Sequence, residues 1–213
     1  MTTEVLVAFA AASFALSVIP GPNVVYIITR GISQGRPAAL LSTAGVEVGM
    51  FVHITAAAAG LSALVTRTAV TFTVVKVAAA AYLVYLAYRA LRGGTQDEGD
   101  VAGRIVQVRS ARRLVVQGFA VSALNPKVAI FFLAFLPQFV RPGAGSMFVQ
   151  TLTLGLLFLL VATMVDGTYA LMSASAGRRL ARFLRTHANG RRYGEAVVYA
   201  GLGVTVLATG NAR

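Results

Sequence analysis

Ile19-Pro20-Gly21-Pro22-Asn23 interrupts an apolar run that extends from Val5 to Ile28. A second interruption, Asn125-Pro126-Lys127, falls inside the run from Leu114 to Val140. A proline lacks the N–H that a helix would give to the carbonyl four residues earlier. Pro20 and Pro22 therefore take away the helical partners of Leu16 and Val18. In hydrocarbon an unsatisfied carbonyl costs about 2–7 kcal/mol, so a break there needs protein or water facing it. Paired breaks in corresponding parts of two halves point to a transporter's substrate site. The expected fold is all-α, a polytopic membrane protein.

Composition agrees. The 213 residues are 57% apolar and 12% charged, with a mean hydropathy of +0.74. A soluble domain carries about 25% charged residues. Cysteine is absent, which excludes disulfides and thiolate metal sites. Met1 to Glu4 has no basic stretch, so the N-terminal run reads as a retained span rather than a signal peptide.

About six apolar segments follow one another. The first is Val5 to Ile28, followed by a short basic loop from Arg30 to Pro37. The second is Ala38 to Val65, holding Glu47 and His53, and the third is Ala69 to Ala90, holding Lys76. Arg92 to Arg113 is a polar linker. The fourth is Leu114 to Val140, and the fifth is Met147 to Ala176, holding Asp166. Arg178 to Arg192 is basic, and Tyr193 to Thr209 is the sixth segment. This grouping gives a single membrane domain: residues 1–91 as a first repeat, 92–113 as a cytoplasmic linker and 114–213 as a second repeat. The first helix of each repeat is broken by proline. Three spans per repeat would invert one against the other. The positions of the breaks carry this reading; the two halves share no residue-by-residue identity.

Charge sets the orientation. Fourteen arginines fall in or beside the first, third and fifth loops, against three on the opposite side. The positive-inside rule then places both termini outside and the Arg92–Arg113 loop in the cytoplasm. Basic cytoplasmic loops also suit anionic lipid head groups. The net charge of +12 does not imply nucleic acid, because no aromatic–basic interleaving or binding module accompanies it.

At this point the sequence resembles the LysE/RhtB family of amino-acid exporters. The likeness rests on Pro20-Gly21-Pro22, and on Gly45-Val46-Glu47-Val48-Gly49 followed by His53. It continues through Lys76 to Leu86 and through Gly118 to Gln138, with Asn125-Pro126-Lys127 and Phe131-Phe132. Asp166 with Tyr169-Ala170 and the Arg178-Arg179 exit complete it, in order along nearly the whole chain. The resemblance implies a secondary transporter of the inner (plasma) membrane. It implies export of amino acids or close derivatives, driven by the proton gradient or membrane potential.

The candidate substrate-binding residues are Pro20, Gly21, Pro22, Asn23, Asn125, Pro126 and Lys127. Asn125-Pro126 reads as an N-cap followed by proline at the first helical position. A half-helix N-terminus offers unpaired N–H groups and a positive dipole end, and two such ends would hold a carboxylate. Lys127 either meets that carboxylate or pairs with an acid. Glu47, Lys76 and Asp166 are candidates for ion coupling or for a buried charge pair: two acids facing two lysines. Either acid could instead meet the substrate's ammonium group. His53 shares a four-residue stripe with Gly45, Gly49 and Ala57, which reads as a packing face with a hydrogen-bonded histidine in it. Glu47 points about 120° away from it.

No metal site, catalytic constellation, cofactor or phosphate-binding loop is expected. A channel or importer of the same architecture is the alternative within transport, and an intramembrane enzyme is a third class. The oligomeric state stays open, a homo-oligomer included.

Overall fold

The computed structural model describes residues 1–64, 110–141 and 143–186, with single positions elsewhere. The expected third and sixth spans, Lys76, residues 92–109 of the linker and His187 lie outside the described residues. Among the described residues every element is helical. They are α1 (Thr3–Val18), α2 (Pro22–Gln34), α3 (Arg36–Leu64), α4 (Ala111–Ala123), α5 (Pro126–Ile130) and α6 (Met147–Thr186). A π turn, Phe131–Phe135, and a 3-10 turn, Leu136–Phe139, extend α5.

The chain breaks where prolines forbid the helix. A residue before proline is pushed out of the helical region. Ile19, Gly21 and Asn125 each precede a proline and each is extended. Across these breaks α1 and α2 bend by 52°, and α4 bends by 44° from the run Pro126–Phe139. Each pair is one broken span or a re-entrant loop. Pro137 causes the third irregularity. It has no N–H for the Leu133 carbonyl, so the ladder widens before it and tightens after it. Leu136 N–H bonds to Phe131 O, and Val140 N–H to Pro137 O.

Two stretches, Arg36–Gly60 of α3 and Met147–Ser173 of α6, are long and apolar enough to cross a membrane unbroken. Large apolar side chains such as Phe14, Val48, Leu133, Leu160 and Met164 face outward. In a soluble protein that would be costly; in a bilayer it is the lipid surface. Gly35 turns the chain between α2 and α3 at φ 81°, a conformation that glycine adopts without penalty.

Helices α3 and α4 touch backbone to backbone. A Cβ on Gly45 would collide with the Val115 carbonyl, and one on Gly49 with the Phe119 carbonyl. A Cβ on Gly118 would come within 2.6 Å of the Ser42 carbonyl. The small-residue stripe of α3 is thus a packing face, as in membrane helix pairs generally.

Two boundaries differ from the sequence reading. Arg30 is not in a loop: α2 continues to Gln34, and Arg30 is buried at 1% exposure. The basic stretch that starts at Arg178 is not a loop at its beginning either. Helix α6 runs on to Thr186 and carries Arg178, Arg179, Arg182 and Arg185. Arginine is a good helix former, so a loss of apolar character marks the membrane boundary and not the helix end.

Candidate functional site

The two breaks meet. Asn125 Nδ2 donates to Asn23 Oδ1 at 2.9 Å, and Asn23 Nδ2 donates to Ser122 Oγ at 3.4 Å. Lys127 reaches from the second break to the first and donates from Nζ to Ile19 O at 2.6 Å. A Cβ on Gly21 would come within 3.1 Å of Lys127 Cδ, so the lysine lies flat along the glycine backbone.

One orphaned carbonyl at each break has a partner from another helix. Val18 O, whose helical donor would be Pro22, accepts from Tyr169 Oη of α6 at 2.7 Å. Ser122 O, whose donor would be Pro126, lies 2.9 Å from His53 Nε2 of α3. A carbonyl only accepts, so Nε2 carries the proton. Ser122 O also accepts from Asn125 N at 3.0 Å. His53 is thus a packing residue whose hydrogen bond serves the second break, as that of Tyr169 serves the first.

Between the breaks is a cavity lined by Gly21, Asn23, Asn125, Lys127 and Asp166 on its polar side. Leu16, Met50 and Phe158 form apolar wall. Its volume is about 30 Å³. One water needs about 10–15 Å³ of such space, so this conformation has room for a water or two and is too tight for an amino acid. Ser17 also lines the cavity, and its hydroxyl is buried with no hydrogen-bond partner.

The two half-helix N-termini differ. Asn125 Oδ1 caps α5 by accepting from Lys127 N at 3.0 Å. Gly21 caps α2 and has no side chain to do so. The first N–H groups of α2, at Asn23 and Val24, are left outside its ladder. The open end, with its positive dipole, is at the cavity.

Among the described residues three of the candidate charges lie near one another. Asp166 is buried at 4% exposure and lies within electrostatic reach of Lys127. Glu47 interacts with Asp166 rather than with a described lysine. Both Glu47 carboxylate oxygens are shielded and accept no hydrogen bond. Thr163 is beside it, but its hydroxyl donates to Leu159 O.

Of the sequence-derived candidates, the structure brings Gly21, Asn23, Asn125, Lys127 and Asp166 to one cavity. Pro20, Pro22 and Pro126 shape the breaks without lining it, and Glu47 joins through Asp166. Sequence reasoning assigned no role to Ser17 and gave Tyr169 no partner. A signal for Tyr169 and His53 exists: each proline in a span needs a long polar side chain elsewhere to serve its carbonyl.

The LysE type translocator family matches residues 14–210. The chain belongs to the LysE type translocators. Among its relatives in this family is the homoserine/homoserine lactone efflux protein of Salmonella typhi. It is 33% identical over 174 residues, covering 81% of this chain and 82% of the relative. The leucine efflux protein of an Enterobacter species is 26% identical over 181 residues, covering 84% and 82%. An uncharacterized membrane protein of Vibrio cholerae is 29% identical over 178 residues, covering 84% and 85%. No solved structure matches.

Proposed function

We propose that this LysE type translocator exports amino acids or close derivatives, and that the cavity between the two breaks is its substrate site. The observation that carries the reading is the convergence of Gly21, Asn23, Asn125, Lys127 and Asp166 from separate helices onto one cavity. The open N-terminus of α2 and the Lys127 ammonium offer donors to a carboxylate or to a carbonyl oxygen. Asp166 offers an acceptor to the substrate's ammonium group. Leu16, Met50 and Phe158 face the substrate's side chain. The relative named for homoserine and its lactone fits donors that serve both: a lactone keeps carbonyl oxygens but no carboxylate.

Lys127, Asp166 and Glu47 form the coupling group in this reading. Among the described residues one lysine faces two carboxylates, and in this reading the second carboxylate carries a proton. Exchange of that proton across the cycle supplies a link to the proton gradient. The narrowness of the cavity favours alternating access over a channel. Each break is held by a side chain from the opposite half, Tyr169 for the first and His53 for the second. That reciprocity supports an inverted repeat, with α1–α2 corresponding to α4–α5. The inner membrane, with both termini outside, is the placement proposed.

Counterflow of labelled amino acids in proteoliposomes tests the reading. Accumulation of label against unlabelled internal amino acid is expected, and is lost with Lys127→Ala. No counterflow across a broad amino-acid panel would refute it.

A further inference from the structure

Arg30 is one turn from the end of α2 and is 1% exposed. Its Nη2 donates to Gln117 Oε1 of α4 at 2.9 Å. Its guanidinium is 5.4 Å from the centre of the Tyr26 ring. Nε and Nη1 are buried and meet no acceptor. A buried arginine is normally paired with an acid, because a desolvated cation without one is expensive. Among the described residues no carboxylate serves Arg30; its partners are a neutral amide and a ring.

The position of Arg30 relates it to the cavity. Asn23, at the cavity, is seven residues earlier. Seven residues make nearly two full turns, so Arg30 is on the same face of α2, about 10 Å along it. That face meets α4 throughout: Asn23 bonds to Ser122, Tyr26 Oη donates to Leu114 O at 2.8 Å, and Arg30 bonds to Gln117. Elsewhere the helices meet through rings instead, with Phe9 of α1 packed on Phe131 and Phe139. The seam with arginine in it is on the side that the positive-inside rule makes cytoplasmic. An exported solute enters from there.

We infer that Arg30 is a second carboxylate station, which receives the amino acid's carboxylate when α2 parts from α4 and passes it up the same helix face to Asn23 and Lys127. The inference rests on the export reading and adds to it the entry step and a residue that discriminates free carboxylates. When the seam parts, Gln117 releases Nη2, and Nε with Nη2 then presents the paired donors that suit a carboxylate. A lipid phosphate is the other source of anionic oxygen, but Arg30 faces α4 in the interior and not the lipid.

The test uses inverted membrane vesicles, whose cytoplasmic face is outward, and two probe pairs: L-leucine with leucinamide, and L-homoserine with its lactone. In each pair only the first member has a carboxylate. Arg30→Gln is expected to raise the KM of leucine or homoserine about tenfold to a hundredfold, as loss of a charged hydrogen bond does. The KM of the blocked partner should rise several-fold less, because a neutral carbonyl makes neither an ion pair nor the paired hydrogen bonds of a carboxylate with the guanidinium. Arg30→Lys, which keeps the charge, should recover part of the loss. Should Arg30→Gln fail to fold, Gln117→Glu replaces it: the new carboxylate occupies Arg30 and should produce the same selective rise. An equal loss for both members of a pair, or no change in either, overturns the inference. So does a selective rise that disappears in vesicles free of anionic lipid. Wild-type vesicles that move no amino acid defeat the export reading first, and this inference with it.

Discussion

Removing the Tyr169 hydroxyl should destabilise the protein, and by an amount that depends on Pro22. Tyr169 Oη donates to Val18 O at 2.7 Å, and Pro22 cannot replace it. Tyr169→Phe keeps the ring and deletes that one bond. The bond is on the protein's surface at Val18, so in a bilayer the bared carbonyl would meet hydrocarbon and not water, at a cost of about 1–3 kcal/mol. Side-chain hydrogen bonds in membrane proteins average about 0.6 kcal/mol with a maximum near 1.7. Val18 O has lost its backbone partner, so the expected cost is at the upper end, about 1.5 kcal/mol. For a chain of this size that lowers Tm by about 3–6 °C. The informative measurement is a double-mutant cycle. In a Pro20→Ala/Pro22→Ala background the backbone N–H returns, and α1 can run into α2. Val18 then has a helical donor, and Tyr169→Phe should cost less than about 0.5 kcal/mol, because the bond it deletes is no longer the carbonyl's only one. Thermal unfolding of the four proteins in detergent gives the coupling directly. An equal loss in both backgrounds would refute the idea that Tyr169 substitutes for the missing N–H.

Three further outcomes follow from the same geometry. His53→Phe deletes the donor to Ser122 O and should cost about 1–2 kcal/mol in unfolding while lowering transport; a fully active and stable variant would contradict its role at the second break. Gly118→Ala puts a methyl against the Ser42 carbonyl and should destabilise by about 1–3 kcal/mol, where Gly167→Ala, with open space around it, should not. A cysteine at Gln96 should resist an impermeant thiol reagent in intact cells, and labelling from outside would invert the proposed topology.

The breaks were legible in the sequence because they follow from one local fact, the missing proline N–H, which no packing can restore. Gly21, Asn23, Asn125, Lys127 and Asp166 were legible for a related reason: polar groups within apolar runs must converge somewhere. What they converge with was not legible. The donors to Val18 and Ser122 come from residues 151 and 69 positions away, and that pairing is tertiary. The approach of Glu47 to Asp166 is tertiary likewise, since composition counts charges without placing them. Arg30 was read as loop because a single charge after an apolar run looks like a membrane boundary. Nothing local tells that case from a buried arginine on a continuing helix. The π turn before Pro137 shows the same limit. The proline predicts a disturbance but not its form, a π turn whose Phe131 and Phe132 pack on the distant Phe158.

The central claim is that an amino acid is held between the two breaks by groups that include Lys127. Its most direct measurement is the shift in Tm that an amino-acid panel produces in purified protein. Wild type and Arg141→Ala should both be stabilised by the transported amino acid, since Arg141 is exposed at the end of the run. Binding at a hundred times Kd adds about 2.7 kcal/mol. Lys127→Ala should fold with a lowered unliganded Tm, because Ile19 O loses its donor and Asp166 its nearby charge, and should lose the shift. A folded Lys127→Ala protein that the same amino acid stabilises as strongly as wild type would contradict the account.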